Sequence, residues 1–171
     1  MQIRDAVPED FPAILALNLA FERFLSPMDA PRLALLYGQA QYCRVMTIED
    51  RVIAFLLAFR EHTAYDSSNY AWFKRHFQNQ TFFYIDRVVI AAECQGQRLG
   101  QIFYDDVFAT AMAQGVPRVA CEYDLLPPNP ASERFHAKMG FLSVGAHTVP
   151  YGGKQVSMQV AQLTEKAPAT R

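Results

Sequence analysis

The chain has little that would tie it to a metal, a membrane or a polyanion. Its three cysteines, Cys43, Cys94 and Cys121, are odd in number, far apart and form no CxxC pair. Neither a disulfide framework nor a zinc knuckle fits that spacing, so they read as small buried hydrophobes. The histidines His62, His76, His136 and His147 are dispersed without metal-ligand spacing, so no metal is expected. Sixteen basic residues against seventeen acidic ones give a formal charge of −1. That balance lacks the clustered Lys and Arg on which non-specific nucleic-acid binding depends. The N-terminus "MQIRDAVPEDF" has no basic segment followed by an apolar core, and the longest apolar run, 52–59, falls far short of the roughly 18 residues needed to cross a bilayer. A soluble cytoplasmic protein is the expectation, with neither nucleic acid nor membrane as partner.

What is present is apolar and aromatic. With 171 residues, 51% hydrophobic and 13% aromatic, the chain is long enough for one domain that buries roughly 70% of its unfolded surface. No repeat or linker interrupts it. A single domain over 1–163 is expected, followed by a disordered tail, 164–171.

The elements alternate in type. "QIRDAV" reads as a short strand, followed by a largely buried helix that Pro8 opens and that runs towards Leu25, then a helix from about Ala30 to Gln41. "YCRVMTIEDRVIAFLLAFRE" reads as a hairpin turning near Glu49 to Arg51. The segment 62–80 is polar and aromatic without clear period, an excursion holding one short helix. "TFFYIDRVVIA" is a strong strand. Beyond it lies a helix with Leu99, Ile102, Phe103, Val107, Phe108, Ala111 and Met112 on one face, ended by Gly115 and Pro117. "RVACEYDLL" is the next strand, Pro130 to Met139 a helix, and "FLSVGAHTV" with "KQVSMQVAQL" a closing hairpin.

Two stretches carry chemistry. In "ECQGQRLGQIFYDDVF" the glycines Gly96 and Gly100 stand at a strand-to-helix junction. The first N–H groups of a helix have no intrahelical acceptor and the helix dipole adds positive charge there, so such a loop suits an anion. Gln95, Gln97 and Arg98 can add donors. An ordinary glycine-containing helix entry has the same look, and the stretch is neither a P-loop nor a three-glycine dinucleotide fingerprint. In "PPNPASERFHAKMGF", Asn129 is a good N-cap and Pro130 a good first helical residue, with Gly140 closing the helix. Ala131, Phe135 and Met139 form its core stripe, while Ser132 and His136, offset by about 100°, form a polar stripe able to face a ligand.

Together these stretches resemble the GNAT superfamily of acyl-CoA-dependent N-acetyltransferases. Gln95-Gly96-Gln97-Arg98-Leu99-Gly100 is similar to the family's Gln/Arg-x-x-Gly-x-Gly/Ala loop, which holds the pyrophosphate of coenzyme A, with Arg98 where glycine is usual. Asn129, Ser132, Phe135, His136, Lys138, Gly140 and Phe141 match a second family motif, and the element order fits from about Ile3 to Leu163. The resemblance implies an α/β (α+β) fold with a mixed, mostly antiparallel central sheet, helices on both faces, and fourth and fifth strands that splay apart. It implies acetyl-CoA as cosubstrate, held by Val88, Val89 and Ile90 at the strand edge, by Gln95 to Gln101, and by Asn129, Ser132, Phe135 and His136.

Acetyl transfer to an amine by direct attack in a ternary complex is the activity implied. It asks for a base for the amine, a donor for the oxyanion and a proton for the departing thiolate. Asp86 is one candidate for base or amine-binding residue, unless it only pairs with Arg87 or Arg118. Glu122 is the other, since alternation along its strand puts Ala120, Glu122 and Asp124 on one face, turned either to the acceptor cleft or to solvent. His136 stands where the family places a proton-donating tyrosine, and either donates as an imidazolium or only holds coenzyme A or a packed surface. The acceptor, a small-molecule or peptide amine, would meet 24–29, 147–154 and the excursion. Tyr65, Tyr70, Trp72, Phe73 and His76 there form either a lid or an aromatic patch packed on the core or on a second copy of the chain. A coenzyme-A-binding module without turnover is the alternative reading.

Overall fold

The computed structural model describes residues 1–78, 80–150 and 153–163; the expected disordered tail, 164–171, lies outside them. Seven strands form one sheet in the order β1-β2-β3-β4-β5-β7-β6, with every pairing antiparallel except β4 with β5. The strands are β1 Gln2–Asp5, β2 Tyr42–Ile48, β3 Arg51–Arg60, β4 Phe83–Ile90, β5 Arg118–Leu126, β6 Leu142–Thr148 and β7 Gln155–Gln162. The helices are α1 Phe11–Ala20, α2 Ala30–Gln39, α3 Ser68–Phe77, α4 Leu99–Ala113 and α5 Pro130–Lys138. The mixed, mostly antiparallel sheet implied by the family resemblance is the observed one. None of the helices is long and apolar enough to cross a membrane.

Local chemistry accounts for the boundaries. Glu49 and Asp50 take φ of 50° and 62°, the two-residue primed turn that suits the twist of the β2–β3 hairpin. Asp29, Ser67 and Asn129 cap α2, α3 and α5 by accepting from Arg32, Tyr70 and Ser132 backbone N–H groups. The first helix is shorter than its apolar run suggests. Asp10 binds the Val7 N–H and the Arg4 guanidinium, which fixes a separate 3-10 turn at Pro8–Asp10, and tight turns replace helix after Ala20.

Helices cover both faces. Leu99, Phe103, Tyr104, Val107 and Ala111 of α4 pack one face, together with Phe135 of α5. Ile14 and Leu33 of α1 and α2 cover the other, where Tyr70, Phe73 and Phe77 of α3 are fully or nearly buried. For these three aromatics the packed-core reading of the excursion holds. The α4 stripe is rotated from the expected one: Ile102 and Met112 are partly exposed, and Tyr104 is buried in their stead. A buried phenol needs a partner for its hydroxyl, and Tyr104 has one in His136. On α5, Ala131 is exposed, and Phe135 with Met139 carries the apolar packing beside the buried His136.

The feature that shapes the site is in β4. Its parallel pairing with β5 is confined to Phe83–Val119 and Tyr84–Ala120, after which the two strands part. On the other side, Leu57 opposes Arg87 while Ala58 opposes Ile85, so Asp86 is an inserted residue, a β-bulge. The bulge reverses the alternation: Phe83 and Ile85 face α4 before it, Val88 and Ile90 after it. It thereby leaves Asp86 and Arg87, which a regular strand would turn to opposite faces, close enough to pair.

Candidate active site

Where β4 and β5 part, a cavity of about 970 Å³ opens through the sheet, lined from both faces. Its volume suits a large organic ligand. On the α4 side its wall includes Val88, Ile90, Gln95, Gly96, Arg98, Leu99, Gly100, Gln101, Asn129, Ser132, Phe135 and His136, with Val89 turned to the other face. On the opposite side it includes Phe24, Pro27, Tyr65, Asn69, Asp86 and Glu122. Of the residues expected at the site, Gln97 is the one that does not line the cavity.

The loop before α4 is shaped by two left-handed residues. Gly96 has φ of 78°, and Arg98, the residue before the helix, has φ of 62°. The glycine usual at position 98 is thus explained by backbone, and arginine there carries a conformational cost. No side chain caps α4, so the N–H groups of its first turn remain available to an anion. Gln95 is not free to help: its side-chain amide donates to the Ile90 carbonyl at 3.1 Å and closes the loop onto β4. Gly100 has a packing reason of its own, since a Cβ there would lie 3.2 Å from the Phe135 ring.

Glu122 lies across the gap. Its Oε1 accepts from Tyr84 Oη at 2.8 Å and from Asn69 Nδ2 at 2.7 Å, while Oε2 is buried with no partner among the described residues. Burial pushes its carboxyl up to about 8, and the two hydrogen bonds to the carboxylate only partly oppose this. Asp86 is engaged on both oxygens. Tyr65 Oη donates to Oδ1 at 2.5 Å and Arg87 Nε to Oδ2 at 2.6 Å. Arg87, itself buried, continues to Asn18 Oδ1 at 2.8 Å and to the Ser26 carbonyl, so the pair anchors the α1–α2 connection that walls the cavity.

His136 is likewise engaged. Its Nδ1 is 2.8 Å from the Ser132 carbonyl, which can only accept, so Nδ1 carries the proton and Nε2 accepts from Tyr104 Oη at 2.8 Å. Burial among Tyr104, Phe135 and Phe141 lowers its pKa to about 4. The ring is therefore neutral near pH 7, and its one N–H is spent within α5. Burial thus opposes the proton-donating imidazolium anticipated from the unperturbed pKa.

Four residues of this arrangement carry no mark in the sequence analysis: Tyr84, Asn69, Tyr65 as partner of Asp86, and Tyr104. Tyr84 had a signal, since it stands two residues before Asp86 on one strand and so on the same face. Asn69 had none.

The geometry agrees with comparisons to known proteins. Residues 4–141 match the family model described as Acetyltransferase (GNAT) family. No curated protein matches the chain in sequence. Among solved structures it is similar to the ribosomal-protein-S18-alanine N-acetyltransferase from Escherichia coli, at 13% identity and a TM-score of 0.70 over 99% of this chain and 98% of that one. It is similar to Arabidopsis thaliana Naa50 in complex with the bisubstrate analogue CoA-Ac-MVNAL, at 12% identity and a TM-score of 0.73 over 95% and 98%. It is also similar to yncA, a putative acetyltransferase from Salmonella typhimurium with acetyl-CoA, at 20% identity and a TM-score of 0.72 over 99% and 98%. At such identities the likeness concerns the fold, whereas the family model spans most of the chain: this chain belongs to the GNAT acetyltransferase family.

Proposed function

We propose that the chain is an N-acetyltransferase that uses acetyl-CoA to acetylate a primary amine by direct attack in a ternary complex. The observation that carries this is Glu122: a carboxyl raised by burial to about 8, with one unpartnered oxygen, in the wall of a cavity whose far side is an uncapped helix N-terminus. Such a group takes a proton near neutral pH far better than an ordinary carboxylate.

The residues present fit acetyl-CoA. Free N–H groups of the first turn of α4, with Gly96 and Arg98, would hold the pyrophosphate, and the edge of β4 at Val88, Val89 and Ile90, unpaired on its β5 side, would take the pantetheine amides. Asn129, Ser132, Phe135 and His136 would wall the coenzyme from α5. Bound acetyl-CoA supplies an acyl group activated as a thioester. Glu122 removes the amine proton, directly or through one water. Asp86 holds Arg87, and through it the acceptor-side connection. His136 orients Tyr104 and shapes the wall, and water supplies the other proton.

The test is release of free thiol from acetyl-CoA when the protein is offered primary amines, short peptides with free N-termini included, since two of the similar structures bear names or ligands of that kind. Coenzyme A binding without thiol release from any amine would instead identify a binding module without turnover.

A further inference from the structure

Two buried polar atoms in the cavity wall have no partner among the described residues: Oδ1 of Asn69, an acceptor, and Oε2 of Glu122, an acceptor once the carboxyl has ionised. They belong to side chains already joined, because Asn69 Nδ2 donates to Glu122 Oε1 at 2.7 Å. That bond fixes the amide so that its carbonyl oxygen points elsewhere, and Ser67 at the N-cap of α3 fixes the turn that carries it. Burying an unpaired acceptor is costly, so two of them on hydrogen-bonded side chains call for a ligand that brings two donors.

We propose that Asn69, carried by the helix between β3 and β4, positions the acceptor amine and selects primary over secondary amines. This rests on the acetyl-transfer reading. A neutral primary amine has two N–H groups and one lone pair. Asn69 Oδ1 holds one N–H, Glu122 Oε2 accepts the proton of the other, and the lone pair is left to form the N–C bond as the C–S bond breaks. An N-methyl amine has one N–H, so it must leave either the base or Asn69 unsatisfied. The neighbouring groups are already committed: Tyr84 Oη donates its proton to Glu122 Oε1, and each oxygen of Asp86 accepts one hydrogen bond.

Phenethylamine and alaninamide, each against its N-methyl derivative, test this with the purified protein. The wild type is expected to favour the primary amine by 10-fold or more in kcat/KM. Asn69→Ala and the near-isosteric Asn69→Leu should raise KM for the primary amine about 10-fold, leave KM for acetyl-CoA unchanged, and shrink the primary-to-secondary preference towards unity. Thermal unfolding of both variants establishes that they fold. A preference unchanged in folded variants would overturn the assignment of Asn69 alone, as would a loss confined to kcat. Turnover of none of the four amines would count against the acetyl-transfer reading and this one together.

Discussion

Tyr84, a member of the last β4–β5 pairing, donates its phenol proton at 2.8 Å to Oε1 of Glu122, two residues beyond its partner Ala120 on β5. The bond favours the ionised carboxylate while burial opposes it, and burial prevails, with the pKa at about 8. Asp86 and Asp124 are the other titratable groups that act on it, and both push in the same direction as burial. A base with that pKa gives kcat/KM that rises with pH to a plateau above about 8, once the acceptor's own titration is separated by using amines of different pKa. Glu122→Gln should remove the limb and lower kcat/KM by about 10²-fold or more. Tyr84→Phe deletes a donor to the charged form, so the limb should move to higher pH. A limb that Tyr84→Phe leaves in place would take the base role away from Glu122.

The same shift has a stability signature of fixed sign. The folded pKa of Glu122 is above its unfolded value, so between about 4.5 and 8 the unfolded chain has released a proton that the folded one retains. Stability from this group falls as pH rises through that window. Melting temperatures compared at pH 5 and pH 9 should therefore favour Glu122→Gln over the wild type at the higher pH.

Asp86 is expected to matter for the fold before it matters for proton transfer. It shares a buried ion pair with Arg87, whose other partners are Asn18 and Ser26. Asp86→Asn would leave the Arg87 charge buried without its counter-ion, a loss of about 3–5 kcal/mol that urea unfolding would report. Mutation of both residues, Asp86→Asn with Arg87→Met, should recover part of that stability. A folded, fully stable Asp86→Asn protein with lowered kcat and a shifted pH limb would return Asp86 to the role of base.

How much of this was legible beforehand differs from residue to residue. The α4 loop could be read because a helix entry rich in glycine follows from the backbone needs of local sequence, and the alternation on β5 placed Glu122 on its face correctly. The bulge at Asp86 could not, because an inserted residue leaves no compositional mark and emerges only from registry with β3. The state of His136 was hidden for a different reason: its position on α5 was clear, but its neutral ring results from burial among residues such as Tyr104, 32 positions away in sequence. Asn69 was hidden within an aromatic segment whose buried members, Tyr70, Phe73 and Phe77, account for the segment's composition.

For His136 the folded pKa is about 4, depressed below the unfolded value of 6.5 by burial. The unfolded chain therefore binds the proton first as pH falls, and stability should drop between about 6.5 and 4. His136→Phe should flatten that part of the stability profile while losing the acceptor for Tyr104 Oη. The rate profile of the wild type should show no descending limb near pH 6.5, since the ring is already neutral there. A limb at that pH, abolished by His136→Phe with coenzyme A affinity unchanged, would restore the imidazolium as proton donor.

Arg98 sets two effects against each other at one position. Its φ of 62° lies in the left-handed region, where arginine costs roughly 1 kcal/mol more than glycine, so Arg98→Gly relieves strain in the folded state. The gain is reduced because glycine also loses more backbone entropy on folding, which leaves the net change in stability within about 1 kcal/mol of zero. Binding should move further. If the guanidinium meets the pyrophosphate, its removal weakens coenzyme A by about 1–2 kcal/mol, a factor of roughly 5 to 30 by calorimetry. Arg98→Ala removes the same charge and retains the strain, so it should bind as weakly and fold less stably than Arg98→Gly. Gly100→Ala supplies the contrast, because its methyl group meets the Phe135 ring at 3.2 Å and its effect should appear in stability. Equal coenzyme A affinity in the wild type, Arg98→Gly and Arg98→Ala would place the guanidinium outside the phosphate site and leave anion binding to the backbone of the first turn of α4.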